Sequence, residues 1–387
     1  MPKWDGVTVV APLKADPKYD GDVVADESAY VVYSPPDLVG LREITDSPSA
    51  IYLATSLDMN GQGEDGEYNV PENFADSYNE SDDDNLFTSF SKVKLLEGNG
   101  NTIYNLGICR SNEKSSAFIL SASGTTIHRN INFRNCCVSG THTLVETNST
   151  AQAAILCSNA GGKSYTARNV NVYDSKVFGV QKIGGLIAIL SADDSSVTDC
   201  NVENTYIENY EVFIDELFTG TFEYKKYSVT ASQSFYPHGE VGGLIGFVCG
   251  NATIENSRVK NSEINCYGLD DVPADITPKQ VANILAQLGY YHVPGRHVST
   301  FIGDIRTQNG EYIQINNCSV DSKTKCTRRW DKYCWITLNK THRTYPHIGS
   351  CYYVAYLDMM GSVYIDGSRI NMHDCRKTSA CYEHNIY

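Results

Sequence analysis

One short phrase recurs along this chain, and it restricts the possible folds more than any other feature. Its clearest copies are Ile183-Gly184-Gly185-Leu186-Ile187 followed by Ser196-Val197-Thr198-Asp199-Cys200-Asn201-Val202-Glu203-Asn204, and Val241-Gly242-Gly243-Leu244-Ile245 followed by Thr253-Ile254-Glu255-Asn256-Ser257-Arg258-Val259-Lys260-Asn261. With the first apolar residue of the second half as zero, Asn or Asp falls at +2 and +7, and an apolar residue at +5 and +10. The same register picks out Ile103, Asn105 and Ile108; then Asn130, Phe133, Asn135 and Val138; then Asn169, Val172, Asp174 and Val177. Ile315, Asn317 and Val320 follow, and a decaying copy carries Ile365 and Ile370. Self-similarity at a coil-sized period marks a solenoid.

The copies read as strands. Short runs of β-branched and aromatic residues are broken by Asn, Asp, Gly and Ser. Period-two alternation turns Val202 and Val259 to one face and their polar neighbours to the other. Asn and Asp suit bends because they tolerate the left-handed region, and stacked copies can form amide ladders. Gly184-Gly185 and Gly242-Gly243 fit a tight bend with no room for a Cβ. One coil cannot bury its apolar face alone, so neighbouring coils must stack. The expected fold is an all-β parallel solenoid of about seven coils, on the order of 35 Å long at about 4.8 Å per layer.

Gly242-Gly243-Leu244-Ile245-Gly246 with Thr253-Ile254-Glu255-Asn256-Ser257 resembles the GLUG-type repeat of bacterial surface and phage-appendage β-helix proteins. Ser34 to Leu41 is similar to the short capping helix that such chains place before the first coil, and Ile51 to Gly61 to their entry strand. Gly98-Asn99-Gly100-Asn101-Thr102-Ile103 resembles the phrase that opens their first coil. The resemblance implies a right-handed parallel β-helix. It would have a capping segment at 1–95 and a β-helix at 96–387, with insertions at 208–240, 265–298 and 321–349. A fold of this kind leaves activity open.

Charge narrows the partners. The net charge of −15 disfavours nonspecific nucleic-acid binding, and no apolar run approaches the ~18 residues of a membrane span. Met1-Pro2-Lys3-Trp4-Asp5-Gly6 lacks the charged and apolar regions of a secretory signal, so the chain is expected to be made without one. Residues 57–85 hold ten Asp or Glu and no Lys or Arg. That stretch reads as a solvated loop, with Asp58 and Asn60 as weak calcium-ligand candidates.

The thirteen cysteines show no disulfide framework and no CxxC pair. Cys200 and Cys318 share position +3 with Ser257, which suggests a slot for a small side chain and thiols kept reduced. At the C-terminus, His373, Cys375, Cys381 and His384 are weak candidates to hold zinc, since their spacing matches no standard finger and chance tail residues explain them better. No cofactor is implied.

The insertions carry the chain's individuality. Tyr210, Phe218, Tyr224, Phe235 and Tyr236 lie in the first, and Trp330 and Trp335 in the third. The second contains a helix signal, from Pro278 through Val281, Ile284, Leu285 and Leu288 to Gly289. Those aromatics either pack the insertions onto the coil or form a binding face for a host glycan or protein receptor. No catalytic motif is recognisable, and the acidic pairs Asp193-Asp194 and Asp270-Asp271 are adjacent in sequence, so their side chains diverge. The expectation is a non-enzymatic structural or receptor-binding component of a phage virion: a tail fibre, tail spike or head decoration assembled in the host cytoplasm. A bacterial cell-surface adhesin or glycan-binding protein is the alternative, and a polysaccharide-cleaving β-helix enzyme the third reading. Open coil ends suggest partners among other virion proteins or further copies of itself, a trimer being one such form.

Overall fold

A computed structural model describes residues 3–5, 8–14, 29–41, 44, 48–60, 93–110, 115–140, 152–179, 182–209, 222–224, 227–229, 240–266, 297–307, 310–328, 356–359 and 362–369. Among the described residues the chain is all-β apart from the helix Pro35–Gly40, and its strands stack mainly in parallel as in a β-helix. From Leu95 to Met359, successive passes of the chain contribute strands to each of three sheets. The long sheet runs through Ala29–Val32, Ala50–Leu53, Leu95–Glu97, Thr125–Arg134, Ser164–Tyr173, Asp194–Thr198, Asn251–Glu255, Tyr312–Asn316 and Ser362–Ile365. The second stacks Gly107–Arg110, Cys137–Gly140, Lys176–Gly179, Tyr206–Asn209, Glu263–Cys266 and Lys325–Arg328. The third stacks Ile119–Ala122, Cys157–Ala160, Ile187–Leu190, Ile245–Cys249, Ile302–Thr307 and Tyr356–Met359.

The repeat register becomes rows of buried side chains between these sheets. Position zero is the row Leu96, His128, Ala167, Val197, Ile254 and Ile315. Position +5 is Ile103, Phe133, Val172, Val202, Val259 and Val320. Position +10 is Ile108, Val138, Val177, Ile207 and Ile264. Nearly all are fully buried, so like stacks on like in a continuous core.

The bends explain the recurring Asn and Asp. Every non-glycine residue with positive φ among the described residues is Asn or Asp, including both bend positions of the central coils at φ +43° to +56°. Their side chains form ladders. Asn135 Nδ2 donates to Asn105 Oδ1 at 2.6 Å, Asn204 to Asp174 at 3.0 Å, and Asn261 to Asn204 at 2.7 Å. A second ladder joins Asn201, Asn171 and Asn132 on the outer face. The amides donate toward the N-terminus, and carboxylates close the series there: Asp58 accepts from Asn105 and Glu97 from Asn130. An acceptor-only group is the right end for a ladder whose last free group is a donor.

The residue after each bend is also accounted for. Cys200 Sγ lies 3.3 Å from Thr198 O, Ser257 Oγ donates to Glu255 O at 2.9 Å, and Cys318 Sγ lies 3.3 Å from Asn316 O. Ser257 Oγ also accepts the backbone N–H of Cys200. The slot therefore selects a small side chain with a hydrogen to give, not merely a small apolar one.

Two details of the register change. Ile103 pairs with Phe133, so it stands at +5 and Leu96 takes position zero. The first bend of that coil is lengthened by Gly98-Asn99-Gly100, which shifted the count; Asn99 and Gly100 both have positive φ. Ile365 does pair with Ile315, but Asp366 and Gly367 then reverse the chain into the antiparallel strand Ser368–Arg369. At the other end Leu13–Lys14 runs antiparallel to Ala29–Val32, and Trp4, Leu38 and Leu41 pack into the core. The long sheet thus finishes at each end in a two-residue antiparallel strand, a short edge that blunts strand addition there. Parallel stacking begins at residue 29, well before the expected boundary at 95. The expected helix at 278–289 lies outside the described residues.

Candidate functional site

Strands of the second sheet deliver the chain to one corner of the stack in every pass. They end at Arg110, Gly140, Gly179, Asn209, Cys266 and Arg328, and the chain is back in the stack by 115, 152, 182, 240, 297 and 356. The intervening segments run from residues 180–181 at the shortest to 210–239 and 267–296 at the longest. The insertions therefore begin later than the sequence suggests. Glu208 pairs with Phe178 and Asn265 with Glu208, while Lys325 pairs with Glu263, so 208, 265 and 325 belong to the sheet.

The chain re-enters through the short strands Lys182–Gly184, Glu240–Gly242 and His297–Ser299, which pack hard against the third sheet. A Cβ on Gly184 would sit 1.9 Å from Ile187 O, on Gly185 2.2 Å from Gly243 O, and on Gly242 1.9 Å from Ile245 O. Close approach, not an unusual φ, demands glycine here. Leu186 and Leu244 point into the core beside them.

That re-entry point holds a charged cluster which sequence reasoning missed. Lys182, Glu240 and His297 are in register on successive coils. Lys182 Nζ lies 3.6 Å from Glu240 Oε2 and 5.3 Å from the centre of the Phe247 ring. Glu240 is 2 % exposed, and Asp304, in register with Phe247, is fully buried. Their signal was a polar residue immediately before each Ile/Val-Gly-Gly phrase, visible at Lys182 and Glu240. Beside the corner, the outer face of the second sheet brings Phe178 and Tyr206 together at 5.8 Å, with Tyr206 Oη hydrogen-bonded to Glu208 and Asn265 to Glu263 at 3.1 Å. Rings beside carboxylate and amide acceptors suit a ligand rich in hydroxyl or amide groups.

Of the sequence candidates, Tyr224 lies on the hairpin Phe222–Tyr224 with Tyr227–Val229, opposite Tyr227. Tyr210, Phe218, Phe235, Tyr236, Trp330, Trp335, His373, Cys375, Cys381 and His384 lie outside the described residues. Asp58 and Asn60 belong to the scaffold. Asp58 Oδ1 accepts the Asn60 N–H at 3.0 Å and the Asn105 amide at 2.8 Å, and Asn60 occupies a left-handed bend. Among the described residues no group of three or more His, Cys, Asp or Glu is placed to hold a metal ion.

The thiols are poor nucleophiles. Burial pushes Cys136, Cys157, Cys200 and Cys318 up to about 12, so they stay protonated at neutral pH. Cys136, Cys157 and Cys200 are in no disulfide.

No protein-family model matches the chain, and no curated protein matches it. Among solved structures it is similar to a Bacteroides ovatus protein described as a "putative immunoglobulin A1 protease". The identity is 13 %, the TM-score 0.46, and the match covers 89 % of this chain and 79 % of that one.

Proposed function

We propose that this chain is a non-enzymatic structural or receptor-binding component of a phage virion, built on a right-handed β-helix of about seven GLUG-type coils. The observation that carries the reading is the single corner. Segments far apart in sequence all leave the end of the second sheet and rejoin the stack ahead of the third, three of them through one line of short strands. A rigid stack that holds its variable segments on one line is a display scaffold, and loops so placed are where recognition evolves. Buried, protonated thiols fit assembly in a reducing cytoplasm. Because the long sheet ends in two-residue antiparallel strands, docking to other virion proteins or to further copies would use the terminal strands of the second and third sheets. Proteomics of gradient-purified particles tests the reading. The chain should be present at stoichiometric copy number and survive high-salt washing; its absence from particles sinks the virion assignment.

A bacterial adhesin or glycan-binding protein is the second reading, favoured by the Phe178–Tyr206–Glu208 face beside the corner. It predicts that the purified chain binds intact bacterial cells or isolated surface glycans. Tyr206→Ala should weaken that binding at least tenfold without changing the melting temperature.

A further inference from the structure

Position zero of the core is apolar in every coil but one. His128 stands there fully buried, between Leu96 of the coil before and Ala167 of the coil after. Its ring meets Tyr165 edge to face at 5.2 Å, and Nδ1 lies 3.0 Å from the Tyr165 hydroxyl. Nε2 is buried with no hydrogen-bond partner. We propose that this His128–Tyr165 pair is an acid-sensitive joint, through which falling pH loosens the coils of residues 93–179 while the later coils stay closed.

The surroundings give a proton nothing to pair with. From the third sheet the Cys157 thiol faces Tyr165 and hydrogen-bonds to it, and Cys200 lies near the same ring. Both Tyr165 and these thiols are held protonated and neutral by burial. The charged residues that flank this row on the three strands, Glu97, Arg129 and Arg168, alternate to the other face of the sheet, where Arg129 pairs with Glu97. Whichever ring nitrogen carries the hydrogen in the neutral form, an imidazolium would hold two N–H donors with one neighbour to receive them. Burial accordingly lowers the His128 pKa from 6.5 to about 3.

The sign follows from linkage. Above pH 6.5 the imidazole is neutral whether these coils are closed or open, and their full stability is present. Below it, the open coils bind a proton that the closed ones refuse, so stability is lost progressively down to about pH 3. Opening should become about tenfold more favourable per pH unit. Coils of a solenoid contact only their neighbours, so the opening can remain local.

The test exchanges the full chain in deuterated buffer at pH 7.5 and at pH 4.5, with labelling times scaled to the intrinsic exchange rate at each pH, and peptides read by mass spectrometry. Peptides from 119–140 and 157–173 should gain deuterium at pH 4.5, to an extent matching about a hundredfold rise in opening below pH 6.5. Those from 251–266 and 312–320 should not. His128→Leu, which repeats the residue of the preceding coil, and His128→Gln, which stays polar without titrating, should both abolish the difference. If one variant fails to fold, the other carries the test. Equal acid sensitivity in a folded variant, or a uniform loss of protection along the chain, overturns the proposal.

Discussion

Two corners of the same stack solve the same problem in opposite ways. Between the long and second sheets the chain turns through left-handed Asn or Asp, and the coils are tied to one another by amide ladders and by the hydroxyl or thiol of the next residue. That corner keeps the same residue spacing from Asn130 and Asn135 through Asn256 and Asn261. Beyond the second sheet no such ladder exists among the described residues, and the connection varies from residues 180–181 to 210–239. A bend whose side chains must meet their counterparts one layer away resists a change of length, and the lengthened bend at Gly98-Asn99-Gly100 stands where the ladder ends on the Glu97 carboxylate. A connection that only has to return to Gly-Gly can grow, because lengthening a loop costs only about 0.6 kcal/mol per doubling.

The sharpest way to break this contrast is to insert residues. Gly-Ser placed between Asn256 and Ser257 should cost several kcal/mol, since a two-residue slip takes Val259 off Val202 and Val320 and breaks the ladder link from Asn261 to Asn204. The same pair placed between Gly179 and Lys182 should cost about 1 kcal/mol or less. Equal shifts in urea midpoint would refute the distinction.

Next in size is a single charge. Val259→Asp puts a carboxylate between fully buried Val202 and Val320, an expected loss of several kcal/mol. Lys260→Asp on the outward neighbour should stay within about 0.5 kcal/mol. Thermal melting of the two variants decides it, and similar losses would mean that the inward and outward rows are wrongly assigned.

A smaller effect separates backbone from ladder. Asn204→Gly keeps the left-handed bend but removes the link from Asn261 and the link to Asp174. Asn204→Ala adds about 1–2 kcal/mol of backbone strain to that loss. Alanine should therefore melt lower than glycine, an inversion of the usual ranking inside regular structure. Alanine melting at or above glycine would show that the bend does not select its residue.

The smallest effect is expected at the thiols. Cys200→Ser should change stability by less than about 1 kcal/mol, because Ser257 fills the same slot one coil on. Alkylation of the native chain should spare Cys136, Cys157 and Cys200, whose burial keeps them protonated. Denaturation without reductant should expose them all. Protection that persists after denaturation would reveal disulfides and favour the secreted adhesin.

The sequence by itself determined the coil. Val197, Val202 and Ile207, with Asp199 and Asn204 between them, state both the strand alternation and the bends, because each is a local preference repeated in every layer. The rest depended on which residues of different coils meet. Gly98-Asn99-Gly100 hid the register of the first full coil, since a longer bend looks like a shifted repeat until Ile103 is seen against Phe133. The closing strands Leu13–Lys14 and Ser368–Arg369 carry no repeat phrase, and the sequence alone suggested open ends. Lys182, Glu240 and Phe247 gather at the re-entry corner, and His128 reaches Tyr165, only because the stack places residues dozens of positions apart one layer from each other. Period and bend are properties of one coil, but partnership across layers exists only once the coils are stacked.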